Sequence, residues 1–399
     1  MLNIPMSIIT LAIGSFGIGL AEFLIMGLLP EVAAGMNVSL SQAGYFISAY
    51  ALGVVVGAPL LSIFGRTMTP KYKLIVLMII FTIANGLSAV APNAEFMMLF
   101  RFMSGLPHGA FLGLAGVVAT RIAGPGKSAS ALALMLSGLT ISNVIGVPLA
   151  TFVGHETSWR VAFSLICGVG LLSMLSVLIW VPTTAKEPKK KLAEEFVIFK
   201  KPMLWALILF SSIGYGGFFA WFSYIAPVLT QVTQVASSSI PYLLALAGLG
   251  MTFGNWLGGK IGDRMAPIKM AIMLTFSMLV ILALNALLAP YIWPMYFLTF
   301  LAGANSIALT MPIQILLIDT CKESPFLGSA LGHGAFNIGN SVGAFAGGIP
   351  LALGYNLISP WWVGVGLTAV GIGIVFQLKK ITPTKFQEEP VDTSNIALH

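Results

Sequence analysis

Twelve uninterrupted apolar runs dominate this chain of 399 residues, each about the length a helix needs to cross a bilayer. A crossing helix takes roughly 20 mostly apolar residues. The runs fall near 7–29, 42–64, 73–91, 96–118, 129–152, 161–181, 203–228, 241–261, 270–289, 292–316, 327–350 and 361–378, numbered here as spans 1 to 12. They are continuous rather than alternating in polarity, so they read as helices and not as barrel strands. Only 8% of the residues are Asp, Glu, Lys or Arg and 57% are apolar, whereas a typical soluble domain is about 25% charged. Such a chain cannot cover a globule with polar surface, and it is too hydrophobic for a disordered or nucleic-acid-binding protein. The two cysteines, Cys167 and Cys321, exclude a disulfide framework and a Cys-based metal cluster.

The basic residues orient the spans. Eighteen of the 20 Lys and Arg lie in the segments that share a side with the two termini. The opposite loops hold only Arg160, and Arg101 lies inside span 4. By the positive-inside rule both termini are expected in the cytoplasm, as an even number of spans requires. The first span does not read as a secretory signal, because MLNIPM has no basic residue and Glu22 interrupts the apolar stretch. The expected location is the cell (inner) membrane, with multiple passes.

The longest polar segment, 183–202, divides a six-span bundle (1–182) from a second one (203–378), with a cytoplasmic tail at 379–399. Its lysines suit contact with anionic headgroups, and LAEEFVIF within it suits a short interfacial helix. The halves repeat. Tyr45, Gly53, Gly57 and Gly65 recur at a constant shift of 197 as Tyr242, Gly250, Gly254 and Gly262. AEFLIMGLLP is echoed by AWFSYIAP, and RFMSG by TFLAG. The fold class expected is an all-α membrane protein of 12 transmembrane helices in two six-helix pseudo-repeats. Parallel repeats of this kind are the architecture of a major facilitator transporter, with substrate held midway between the halves. The glycines also have a plain reading as close-packing positions between helices.

Ionisable groups inside spans are costly, roughly 2.5–3.5 kcal/mol at the centre on insertion scales, so each is a functional candidate. Glu22, Arg101, His108, Asp319 and His333 are the five here. Counted from the outer face, Glu22 lies about 10 Å deep in span 1 and Arg101 about 9 Å deep in span 4. A pair at matching depth would lower the cost of both. It is either a static ion pair or a proton-coupling site, since a dry environment favours a neutral carboxyl and a neighbouring cation its anion. His108, two turns from Arg101 on the same face, suits proton relay or an interhelical hydrogen bond. For the substrate cavity the candidates are Tyr50, Asn143, Trp221, Phe222, Tyr224, Asn305, His333 and Asn337; Asn340 shares the face of His333 and Asn337. Interhelical hydrogen bonding accounts equally well for about half of the amides. An interfacial anchor rivals the cavity role for Trp221.

Taken together, these segments resemble the major facilitator superfamily. GKIGDRMAPIK between spans 8 and 9 is similar to its cytoplasmic loop motif, Arg101 with Gly105 to its fourth-span motif, and Gly138 with GVP at 146–148 to a weak fifth-span antiporter motif. AEFLIMGLLPEVA, SAYALGVVVGAP, RFMSGLPHGAF and SWRVAF resemble the drug:proton antiporter branch, nearest its AraJ-type sugar-efflux and chloramphenicol-resistance exporters. The resemblance implies export by rocking of the halves, driven by protons, with Glu22 and Arg101 in the coupling region. It also places Asp263 and Arg264 at a cytoplasmic gate. There Asp263 would cap the positive N-terminus of span 5, and Arg264 or Lys269 would pair with Asp319. At the counterpart of Asp263 the first half has Arg66. Asp263→Asn is therefore expected to weaken transport far more than Arg66→Ala does.

No cofactor and no metal are expected. The partners are a small organic substrate, protons and the bilayer, with no nucleic acid, and the chain is expected as a monomer. An importing symporter of the same fold is the nearest alternative. A membrane-embedded enzyme would need a nucleophile–base pair, paired carboxylates or a His cluster near one face. The four histidines, 108, 155, 333 and 399, are scattered, and no HExxH or GxSxG occurs.

Overall fold

The computed structural model describes residues 6–64, 68–123, 128–183, 196–262, 264–321 and 325–382, and their regular structure is entirely helical. The spans run Met6–Gly27, Leu40–Phe64, Pro70–Ala89, Ala94–Ala123, Ser128–Glu156 and Trp159–Trp180 in the first half. In the second they run Pro202–Ser223, Ile240–Gly262, Pro267–Leu288, Ile292–Thr320, Pro325–Ala352 and Ser359–Ile381. Eleven are long and apolar enough by length and composition to cross a membrane, and the 28-residue helix Pro325–Ala352 stands in the place of span 11. Proline in the first turn starts spans 3, 7, 9 and 12, where its missing N–H would have had no partner anyway. Ser158 caps span 6, its hydroxyl accepting from the Arg160 N–H at 3.2 Å. Of the segment expected as an interfacial helix, 184–195 lies outside the described residues, and Phe196–Lys200 forms a 3₁₀ turn.

The internal repeat is visible in backbone detail. Each half's first span breaks, at Leu28 and at Tyr224, with nearly the same dihedrals (φ −116°, ψ 19° and φ −111°, ψ 19°). A short helix follows each break, Leu29–Gly35 and Ile225–Gln231. Pro30 and Pro227 stand in the first turns of these helices, where they withhold the N–H that would have continued the span. Beyond the short helices, Asn37 and Gln234, 197 residues apart, both take positive φ (53° and 60°).

The repeated glycines are close-packing positions. A Cβ on Gly53 or Gly57 of span 2 would strike the carbonyl of Phe102 or Leu106 in span 4. A Cβ on Gly250 or Gly254 of span 8 would strike Phe300 or Ala304 in span 10. Small residues bring these backbones together where lipid supplies no hydrophobic drive. Span 5 carries an irregularity, a π turn at Ser142–Gly146 just ahead of Pro148, with the Val147 N–H bonding back to the Ser142 carbonyl.

The halves meet along spans 2 and 11 and along spans 5 and 8. The Ser41 hydroxyl donates to the Gly348 carbonyl (2.8 Å) and that of Ser48 to Ser341 (3.1 Å). Tyr45 packs on Phe345 and Phe23 on Phe222. Gly248 of span 8 sits against the backbone of Asn143 in the π turn. The contacts of spans 2 and 11 lie toward the lysine-poor end of the bundle.

Candidate functional site

The N-terminal half holds a buried polar centre built from spans 1, 2, 4 and 6. Arg101 is fully buried. One terminal nitrogen, Nη1, donates to the Ala21 carbonyl at 3.0 Å. Its guanidinium carbon lies 4.4 Å from the centroid of the Tyr50 ring and 5.7 Å from that of Phe163, a geometry in which ring quadrupoles attract a cation. The Tyr50 hydroxyl is 3.0 Å from His108 Nδ1. Tyr50 thus spans the two helical turns between Arg101 and His108, meeting the first with its ring face and the second with its tip.

Glu22 is also buried. It forms no ion pair with Arg101, contrary to the pairing expected from their matching depths. Its Oε1 instead accepts from Asn340 Nδ2 of span 11 at 3.4 Å, so the carboxylate reaches across the seam between the halves. The arginine's own hydrogen bond goes to the carbonyl of Ala21, the residue before Glu22. Arg101 Nε and Nη2 are left buried without hydrogen-bond partners, as is Asn340 Oδ1. A buried guanidinium with two idle nitrogens is expensive to maintain.

The remaining residues singled out from the sequence divide. His333 is half-buried on span 11. Asn337 Nδ2 donates to the carbonyl of His333 in its own helix at 3.1 Å, and its buried Oδ1 has no partner. Asn305 is taken up in packing, since its Nδ2 donates to the Leu274 carbonyl of span 9 at 3.0 Å. Asn143 is half-buried in the π turn. Trp221 is fully buried and not an interfacial anchor; it packs on Trp361, whose Nε1 donates to the Trp221 carbonyl at 3.0 Å. Phe222 stacks on Phe218 and meets Phe23 edge-on across the seam. Tyr224 lies at the break of span 7, its hydroxyl donating to the Ala344 carbonyl at 2.8 Å. Of the gate residues, Asp263 lies outside the described residues, as does Arg66; Arg264 and Lys269 are exposed and Asp319 is half-buried.

Sequence reasoning missed the seam role of Asn340, although its place on one face with His333 and Asn337 was a signal. It also missed the aromatic group of Tyr215, Phe219 and Phe336, with Tyr215–Phe336 centroids 5.0 Å apart, and the Glu31–His155 ion pair at 2.7 Å. No group of three or more His, Cys, Asp or Glu among the described residues could hold a metal ion.

Comparison with known proteins gives a consistent result. The family model described as Major Facilitator Superfamily matches residues 11–348. The chain is 38% identical to AraJ, named as a transporter in Escherichia coli (strain K12), over 354 residues covering 88% of this chain and 90% of that one. It is 37% identical to the inner membrane transport protein YdhP of the same organism, covering 96% and 97%. It is 27% identical to a chloramphenicol resistance protein of Streptomyces lividans, covering 95% and 98%. Among solved structures, a D-xylose-proton symporter superposes with a TM-score of 0.73 at 12% identity, covering 96% of this chain and 98% of that one.

Proposed function

This chain belongs to the major facilitator superfamily, and from that premise we propose that it is a proton-coupled exporter of small organic molecules. It works as a monomer by alternating access, with both termini in the cytoplasm. The observation that carries the reading is the placement of Glu22: a buried acid of one half, bonded to Asn340 of the other, with the idle N–H groups of Arg101 in its own half.

As an anion, Glu22 accepts from Asn340 and balances Arg101 electrostatically. Once protonated, it no longer offers charge to either and its oxygen becomes a donor. The cross-seam bond weakens and the halves are freer to move. Proton loss after the movement restores the anion. Tyr50 and His108 extend the polar path from Arg101 along span 4. His333, Asn337 and the aromatic face of Tyr215 and Phe336 offer a substrate both amide and ring surfaces. Export, rather than import, is supported by the full-length likeness to a chloramphenicol resistance protein, and drug-like or sugar-like solutes are the substrate class. The gate formed by Asp263, Arg264, Lys269 and Asp319 belongs to the same proposal.

The test is flux in proteoliposomes under an imposed pH gradient, with chloramphenicol and arabinose as probes. Glu22→Gln is expected to abolish gradient-driven accumulation while retaining gradient-free counterflow. Gradient-driven flux at wild-type rates in Glu22→Gln would remove the acid from the coupling step. Accumulation with the opposite gradient dependence would identify an importing symporter.

A further inference from the structure

The aromatic residue at the break of span 7 has a role that the coupling centre does not supply. Tyr224 is fully buried, and its ring lies against Gly347 of span 11, where an added Cβ would come within 3.0 Å of Cε2. Beyond the bond to Ala344, its hydroxyl enters a notch between the halves. One wall is Gly44 of span 2, where a Cβ would strike the hydroxyl oxygen. The other is Gly348 of span 11, where a Cβ would lie 2.6 Å from that oxygen and 3.0 Å from Ser41 Oγ. Ser41 in turn donates to the Gly348 carbonyl. Around this point Tyr45 packs on Phe345 at 5.4 Å, so glycine, serine and aromatic contacts from both halves converge on one phenol tip.

We propose that Tyr224 is the positioning residue of the closure at the lysine-poor end: a finger fixed to the second half by Ala344 and Gly347, whose tip fits the first half only where Gly44 leaves room. The hydrogen bond to Ala344 lies within one half and survives separation, so the finger stays aligned while the notch opens and reforms. The helix break places it there. At Tyr224 the chain leaves helical geometry before Pro227, and the side chain points toward spans 2 and 11 instead of continuing the face of span 7. The equivalent break in the first half carries Leu28, which has no polar tip, so the device is one-sided.

This inference rests on the alternating-access reading and is tested separately from it. Spin labels on Gln42→Cys and Leu353→Cys, at the lysine-poor ends of spans 2 and 11, report the separation by pulsed dipolar spectroscopy in a background with Cys167→Ser and Cys321→Ala. Wild type is expected to show a short and a long distance. Gly44→Ala should raise the long-to-short ratio on the order of tenfold, as overpacking across the seam does. Tyr224→Phe combined with Gly44→Ala should bring the ratio most of the way back, because the colliding oxygen is gone. Two populations that Gly44→Ala does not move, or a Gly44→Ala effect that Tyr224→Phe leaves intact, would overturn the role of Tyr224 alone. One fixed distance in every variant and at every pH would overturn the rocking motion as well. Each variant's monodispersity in detergent separates a shifted equilibrium from failure to fold.

Discussion

The two halves share a backbone plan and differ in what they bury at its centre. Ala21, Glu22 and Phe23 correspond to Ala220, Trp221 and Phe222, and Arg101 to Thr299. In the first half the span-1 carbonyl of Ala21 takes an N–H from Arg101; in the second the span-7 carbonyl of Trp221 takes the indole N–H of Trp361. Both therefore satisfy a carbonyl near the break with a donor from another helix. Only the first does so with a charge. The second sets an indole pair at the counterpart of Glu22, 6.0 Å between centroids, so the repeat is filled there by volume and not by an ion. Replacing buried ionic groups by packed apolar ones is often neutral or stabilising. The buried charges of Glu22 and Arg101 have no charged counterpart at the matching positions of the second half, and this is the ground on which they are proposed as coupling residues.

That contrast can be broken or sharpened by substitution. The largest effect is expected from Arg101→Ala, which should lower gradient-driven flux more than tenfold, while Thr299→Val at the matching site should change it less than about twofold; flux assays on the two side by side decide. If both fell alike, the asymmetry would be structural. Next come the shared glycines. Gly53→Ala and Gly250→Ala each drive a Cβ into a backbone carbonyl, and both should destabilise by about 1–3 kcal/mol or more, read as matching losses of thermal stability in detergent. Trp221→Ala should cost about 3–5 kcal/mol from the cavity left. Trp221→Phe should cost much less, since its Nε1 has no partner to lose; thermal unfolding with transport as a second readout separates packing from chemistry. The smallest effect belongs to Glu31→Gln. Its pair with His155 is partly exposed, with 30% of the Glu31 side chain accessible, and such pairs contribute at most about 1 kcal/mol. Unfolding should shift slightly, and coupling not at all.

Much of the architecture was legible from residues because in a membrane composition dictates it. Apolar length sets the spans, and repeated glycines at a fixed shift set the close helix pairs. Depth counting brought Glu22 and Arg101 to one level, yet it could not tell which way each side chain leaves its helix. The bond that Glu22 makes is to Asn340, which comes from 318 residues away in the chain. Trp221 was ambiguous for a related reason: an indole near a predicted span end reads the same whether lipid headgroups or another tryptophan receives it. The break at Tyr224 was foreshadowed by Pro227, but the glycine notch that receives its hydroxyl depends on how the halves meet.

The wide turn at Ser142–Gly146 carries a mechanical consequence. A helix with one surplus residue in a turn holds a dislocation, and passing that surplus along by one position turns the residue it passes by roughly 100° and moves it about 1.5 Å, while the helix on either side keeps its place. Only a bond or two needs to be exchanged in the process. Because Asn143 in this turn rests on Gly248 of the opposite half, such a step would re-aim single side chains of span 5 at the very spot where the two bundles lean on each other.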